Sequence, residues 1–135
     1  MRSAVRRSVA GLACLLLLSL AGCQPLNQSG KFTLYPTKEP FKLVEVSAPT
    51  SEQKVSVTVT ATQPVSAYLC IQDNVDKVQH GTFDRTNGPK ADLLLGSGRN
   101  QKEISFDAVV PAKQAFTLIV TGDKEAEVTY KIVSR

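Results

Sequence analysis

The sequence predicts an all-β fold, an antiparallel β-sandwich of seven to nine strands. Three observations carry that expectation. Beyond residue 30, apolar side chains recur with a period of two. Proline, glycine and Asx residues punctuate the chain about every ten residues, the spacing of short antiparallel strands. No long stretch of that region shows helical periodicity.

The first residues are of another kind. Arg2, Arg6 and Arg7 form a positive segment without acids, and residues 9–20 are apolar. This is an export signal pattern. It is shorter than the roughly 20 apolar residues a spanning helix needs. It ends in Leu20-Ala21-Gly22-Cys23, a leucine and two small residues before a cysteine. This motif resembles the lipobox of bacterial lipoproteins. The resemblance implies diacylglycerol on the Cys23 thiol, cleavage between Gly22 and Cys23, and acylation of the new amine. A thiol suits that role because some thiolate is accessible near neutral pH. Two or three acyl chains meet the requirement for stable anchoring, at about 0.8 kcal/mol per buried methylene. In that family an Asp after the cysteine often retains the protein at the inner membrane. Gln24 stands there, so the outer membrane is favoured if the cell has two. The expected organisation is a lipoprotein signal peptide at 1–22, lipidated Cys23 and a flexible polar tether over 23–30, and a β-sandwich over 31–135.

Removing the leader changes the charge. Of 135 residues 113 remain, enough for one domain with a real core. Three of the 16 basic residues leave with the signal, so 13 basic residues face 12 acids and the net charge falls from +4 to +1. No basic run survives, which argues against nucleic-acid binding. Of the three cysteines, Cys14 is lost and Cys23 is assigned to lipid, so Cys70 is left without an intrachain disulfide partner. Stability must then come from the core rather than from covalent staples.

The strands follow in order. Residues 31–35 form a first strand, stopped by Pro36. Residues 41–47 form a second, whose apolar residues change parity between Leu43 and Val44, implying a bulge or a two-sided strand. Residues 54–62 alternate strictly, with Val55, Val57, Val59 and Ala61 on one face. Pro64 is expected to break the chain before a strand at 65–72. Residues 73–89 hold many turn formers, and either a short strand at 75–79 or a functional loop is expected there. A strand at 91–95 ends in a turn over 96–100. Residues 102–109 alternate again, with Ile104, Phe106 and Ala108 inward. After Pro111-Ala112-Lys113, residues 115–121 carry Phe116, Leu118 and Val120 inward. Residues 122–124 are expected to make a hairpin turn. Residues 125–134 close the chain with Ala126, Val128, Tyr130 and Ile132 inward. Such a pattern fits a jelly-roll or immunoglobulin-like sandwich, with a barrel as the alternative.

The segments AYLCIQ (67–72), ADLLLGSG (91–98), ISFDAVVPAKQAFTLIVTG (104–122) and AEVTYKIVS (126–134) together resemble the pre-peptidase C-terminal type of bacterial β-sandwich. Lys113 stands in the turn where that family usually carries Gly. The resemblance implies a binding or accessory domain rather than a catalytic one.

Candidate chemistry is sparse. His80 is the only histidine. A hydrolase would pair it with Asp76 or Asp84, but no nucleophile elbow accompanies it. Asp73, Asn74 and Asp76 are clustered oxygen ligands that would suit calcium, although Asx residues also commonly end strands. Gly96-Ser97-Gly98 precedes a strand rather than a helix, so it lacks the basis of a phosphate cradle. Cys70 is expected to be buried and inert. Tyr35, Tyr68 and Phe83 would form a ligand platform only if the fold gathers them.

The function expected is therefore a membrane-anchored envelope lipoprotein with a non-catalytic binding or structural domain. No cofactor or resident metal is expected, and the partner would be an envelope protein or a polysaccharide. Two alternatives differ in class. One is a small envelope hydrolase or accessory subunit using His80 and the acids of residues 73–84. The other is a periplasmic inhibitor or chaperone that caps a partner's strand, which requires a long uncovered edge.

Overall fold

The computed structural model describes residues 25–135. The expected signal peptide, Cys23 and Gln24 lie outside the described residues. Six strands are described: β1 (Asn27–Leu34), β2 (Phe41–Val46), β3 (Gln53–Ile71), β4 (Gly96–Val110), β5 (Phe116–Gly122) and β6 (Ala126–Ser134). One helix, α1 (Val75–Gly81), lies between β3 and β4. All strand pairs are antiparallel. The fold is thus all-β, with six strands in place of the seven to nine expected.

The difference arises at two apparent breaks. Residues 54–62 and 65–72 are one 19-residue strand, β3. Its register against β4 jumps between Thr60 and Val65. Pro64 sits in that bulge, where a missing N–H costs no ladder bond to β4. Residues 96–100, expected as a turn, instead begin β4, while Ala91–Leu93 is a 3₁₀ turn rather than a strand. β1 also starts earlier than expected. Asn27 pairs with Val133, so residues 27–30 belong to the sheet and not to a tether.

β3 is the spine of the molecule. β4 pairs along one of its edges over most of its length. Along the other edge lie β6, opposite residues 55–61, and β5, opposite residues 65–71. β5 and β6 therefore follow one another along the same strand and do not pair with each other. Residues 122–124 join them in line, where the sequence suggested a hairpin. The full order is β1-β6-β3-β5-β2, with β4 on β3. Among the described residues its ends, β1 and β2, share no backbone ladder, though Gln28 Nε2 of β1 donates to the Glu45 carbonyl of β2 at 3.3 Å.

The bulge folds this sheet over on itself. β4 bends with β3, at Asn100, which has φ 52°. The bend brings the two ends of β4 together. A Cβ on Gly98 would lie 2.3 Å from Ile104 Cγ2, and one on Gly96 would lie 2.4 Å from the Phe106 ring. Only glycine allows the half-sheets so close. Between them lies one apolar core, with Val55, Val57 and Val59 from the first half against Leu69, Phe116 and Leu118 from the second. Each such side chain contributes on the order of 1.5–3 kcal/mol when fully buried.

A second apolar layer covers the outer face of the second half. Tyr68, Cys70 and Ile119 are buried there beneath Val75 and Val78 of α1, with Phe41, Leu93 and Leu94 packed around them. This explains the parity change in β2. Val44 and Val46 face the main core while Phe41 faces the second layer, and the register with β5 is unbroken. The strand is two-sided, not bulged. The same layer explains why residues 65–70 are all buried.

Candidate functional site

α1 does not cover the whole outer face of the second half-sheet. Its last turn leaves the end near the β3 bulge open, and a groove of about 430 Å³ remains there. Ser66 and Tyr68 of β3 and Thr121 of β5 form its floor. Phe83 and Arg85, just beyond α1, form one wall with Arg99 of β4. Phe41, residues 36–40 and Asp123 complete the rim.

Each wall is held by local chemistry. The Phe83 ring is 69% exposed and stands edge-on to Phe41, with centroids 5.8 Å apart and planes at 83°. Aromatic pairs favour that arrangement because the positive ring edge meets the negative face. Asp84 shapes the loop after Phe83. Its Oδ1 accepts the backbone N–H of Thr86 and of Asn87, each at 3.1 Å, and its Oδ2 accepts from Asn87 Nδ2 at 3.3 Å. The Asn87 N–H is the chief cause holding the Asp84 carboxyl below its usual range; desolvation opposes it, and the Thr86 N–H, the Asn87 amide and the charge of Arg99 add to the lowering. Arg99 ties this loop to the sheet. Its Nη1 donates to the carbonyl of Asn87 at 3.3 Å and its Nη2 to that of Arg85 at 3.2 Å. On the floor, Ser66 Oγ accepts the Asn100 N–H at 3.2 Å, and Thr121 Oγ1 donates to the Pro40 carbonyl at 2.9 Å.

The structure brings together some of the residues singled out from sequence and separates others. Tyr68 and Phe83 share the groove, while Tyr35 lies elsewhere beneath the Lys38 ammonium, 5.7 Å from its ring centroid. His80 is exposed in the last turn of α1 and borders a different, open cavity together with Asp84 and Lys77. The walls of that cavity hold no Ser, Thr or Cys to act as nucleophile. Asp73 lies in the 3₁₀ turn before α1 and Asp76 in the first turn of α1, where negative charge complements unpaired N–H groups. Among the described residues no three His, Cys, Asp or Glu side chains converge as a metal site. Cys70 is free and buried, and desolvation pushes its thiol up to about 11.

Phe41, Ser66, Arg85, Arg99 and Thr121 carry no signal in the sequence as site residues. The parity change at Leu43–Val44 was the one trace of them, since it marks a second buried face. Arg99 was hidden by its glycine neighbours, which read as a turn.

The groove and the start of β1 lie at opposite ends of the sandwich. Leu26 accepts the Ser134 N–H at 2.9 Å and borders the end near Pro49 and Val110. From there β1 runs eight residues to Leu34, which pairs with Ala126. At about 3.3 Å per residue that is a span of about 25 Å.

No family model and no curated protein matches the sequence. Solved structures do share the fold. The pre-peptidase C-terminal domain of a Bacillus anthracis collagenase superposes with a TM-score of 0.53 at 11% identity, over 79% of this chain and 89% of that one. The Yersinia pseudotuberculosis-derived mitogen superposes with a TM-score of 0.51 at 7% identity, over 83% and 88%. The resemblance to the pre-peptidase sandwich holds at the level of fold.

Proposed function

We propose that this protein is a lipid-anchored component of a bacterial cell envelope, whose β-sandwich binds a partner without catalysing a reaction. The observation that carries the reading is the position of the groove, at the end of the sandwich away from the start of β1. Lipid on Cys23 would leave three residues before Asn27, a reach of about 10 Å. The near end of the domain would then lie close to the bilayer and the groove would face away from it. Gln24 after the cysteine favours the outer membrane in a cell with two. The groove supplies an aromatic wall, hydroxyls and guanidinium groups, a set suited to recognition. It contains no histidine or cysteine.

Two measurements test this. Cys23→Ser should abolish incorporation of labelled palmitate and leave unprocessed precursor; normal processing and anchoring of that variant would overturn the anchor. Affinity capture from detergent-solubilised envelope should retain a partner on the wild type and lose it on Phe83→Ala/Arg85→Gln. Equal capture by both would overturn the groove as the binding face.

A second reading rests on β4. It pairs only with β3, so its other edge is free among the described residues. A partner strand added there would make this protein a capping inhibitor or chaperone. Glu103 and Asp107, exposed along that strand, oppose indiscriminate edge pairing. Loss of capture on Val109→Lys, with capture unchanged on Phe83→Ala/Arg85→Gln, would favour this second reading; capture unchanged on Val109→Lys would exclude it.

A further inference from the structure

We infer that the groove takes an anionic saccharide: a sugar ring carrying a carboxylate or phosphate, with the ring against Phe83 and the anion at Arg85 and Arg99. The inference rests on the proposal that the groove is the binding face.

The charge argument begins with Arg99. Its two hydrogen bonds go to backbone carbonyls, which orient the guanidinium without neutralising it. Among the described residues neither Arg99 nor Arg85 is ion-paired; the salt bridges are Lys42–Glu39 and Arg135–Asp107. Asp84 keeps its charge within the field of Arg99, but its oxygens accept from Thr86 and Asn87 and it makes no salt bridge with Arg99. Of the charged side chains that line the groove, Arg85 and Arg99 outnumber Asp123 by one. A guanidinium fixed in advance and free of a direct ion pair is pre-organised to take a carboxylate or phosphate. Little ordering is then required when the anion arrives.

The floor decides between a saccharide and a peptide. Ser66 and Thr121 are partners in the β3–β5 ladder, so the groove lies over a sheet face and not along an edge. An extended acidic peptide would find no free row of backbone N–H and C=O groups to pair with there. Recognition must come from side chains. A largely exposed aromatic ring beside hydroxyl groups suits the apolar face and the hydroxyls of a sugar ring.

Binding of full-length protein in detergent to three probes tests the inference: hexagalacturonate, maltohexaose and hexaglutamate. Hexagalacturonate should bind, weaken with added salt, and lose about tenfold or more on Arg85→Gln, as expected for a charge-assisted contact. Phe83→Ala should cause a comparable loss. Both positions are exposed, and unchanged circular dichroism and melting of these variants would show that they fold. Equal binding of maltohexaose would overturn the anionic requirement. Equal or tighter binding of hexaglutamate would overturn the saccharide. If none of the probes binds while envelope capture still depends on Phe83 and Arg85, this inference fails and the binding-face proposal stands. If capture is also independent of those residues, both fail.

Discussion

The Arg99 guanidinium donates to the carbonyl oxygen of Asn87, twelve residues earlier in the chain. That contact, with its companion to Arg85, fastens a surface loop to the sheet and gives the groove a fixed wall. Arg99→Ala should therefore loosen the loop more than it unfolds the domain. Amide exchange at residues 85–88 should accelerate markedly, while urea unfolding shows a loss of about 1–2 kcal/mol, the range for hydrogen bonds to a charged group near the surface. Unchanged exchange in that loop would show that Arg99 is not its brace.

Asp84 adds a dependence on pH. Its carboxyl is held below the ordinary value of 3.8, chiefly by the Asn87 N–H. A depressed folded-state value means that the interaction is fully present above 3.8 and is lost as pH falls through the folded value. The loop should stay ordered at neutral pH and loosen in acid. Amide shifts of Thr86 and Asn87 should titrate with Asp84, and Asp84→Asn should remove that titration. Acid shifts that persist in the Asn variant would assign the effect to another group.

Gly98 allows β4 to fold against its own Ile104. Gly98→Ala should cost about 1–3 kcal/mol through overpacking. Combined with Ile104→Ala, which deletes the contacted methyl, it should cost less than the sum of the two single changes. Strict additivity in urea melts would mean that the two residues do not meet.

Lys113 occupies a left-handed conformation, φ 63°, at the turn where the resembling family carries glycine. An L residue there is strained by roughly 1 kcal/mol. Lys113→Gly should be neutral or raise stability by up to about 1 kcal/mol, because glycine's greater freedom in the unfolded chain offsets part of the relief. Lys113→Val should lower stability, since a β-branched side chain tolerates that backbone poorly. Thermal melts of the pair check both signs.

Cys70 should be silent as a thiol. Burial raises it to about 11 from an ordinary 9.0. Iodoacetamide at neutral pH should leave the folded protein unmodified and label it fully in urea. A raised folded-state value also means that this residue's contribution is intact below pH 9 and declines as pH rises toward about 11. Cys70→Val should remove that alkaline decline. Rapid labelling of the folded protein would contradict the second apolar layer.

Alternation is a local property, and it identified the inward faces of the strands well. Val55, Val57, Val59, Ile104, Phe116, Leu118 and Ile132 are all in the main core. Strand ends were harder, because Pro64 and Gly96 look the same in sequence whether they end a strand or bend one. The site was mostly hidden for a similar reason. Ser66, Thr121, Arg85 and Arg99 come from segments far apart in the chain, and no short-range pattern links them.

The sequence by itself determined the all-β character and the inward faces of the alternating segments at 54–62, 102–109, 115–121 and 125–134. These follow from side-chain periodicity and composition, which need no knowledge of what pairs with what. Only the tertiary structure decided that β3 is one strand folded over at a bulge, that α1 covers one outer face, and that Phe83 and Arg99 line one groove with Ser66. Those outcomes depend on which distant segments pack together, and packing is settled by shape and burial across the whole chain rather than by any stretch of it.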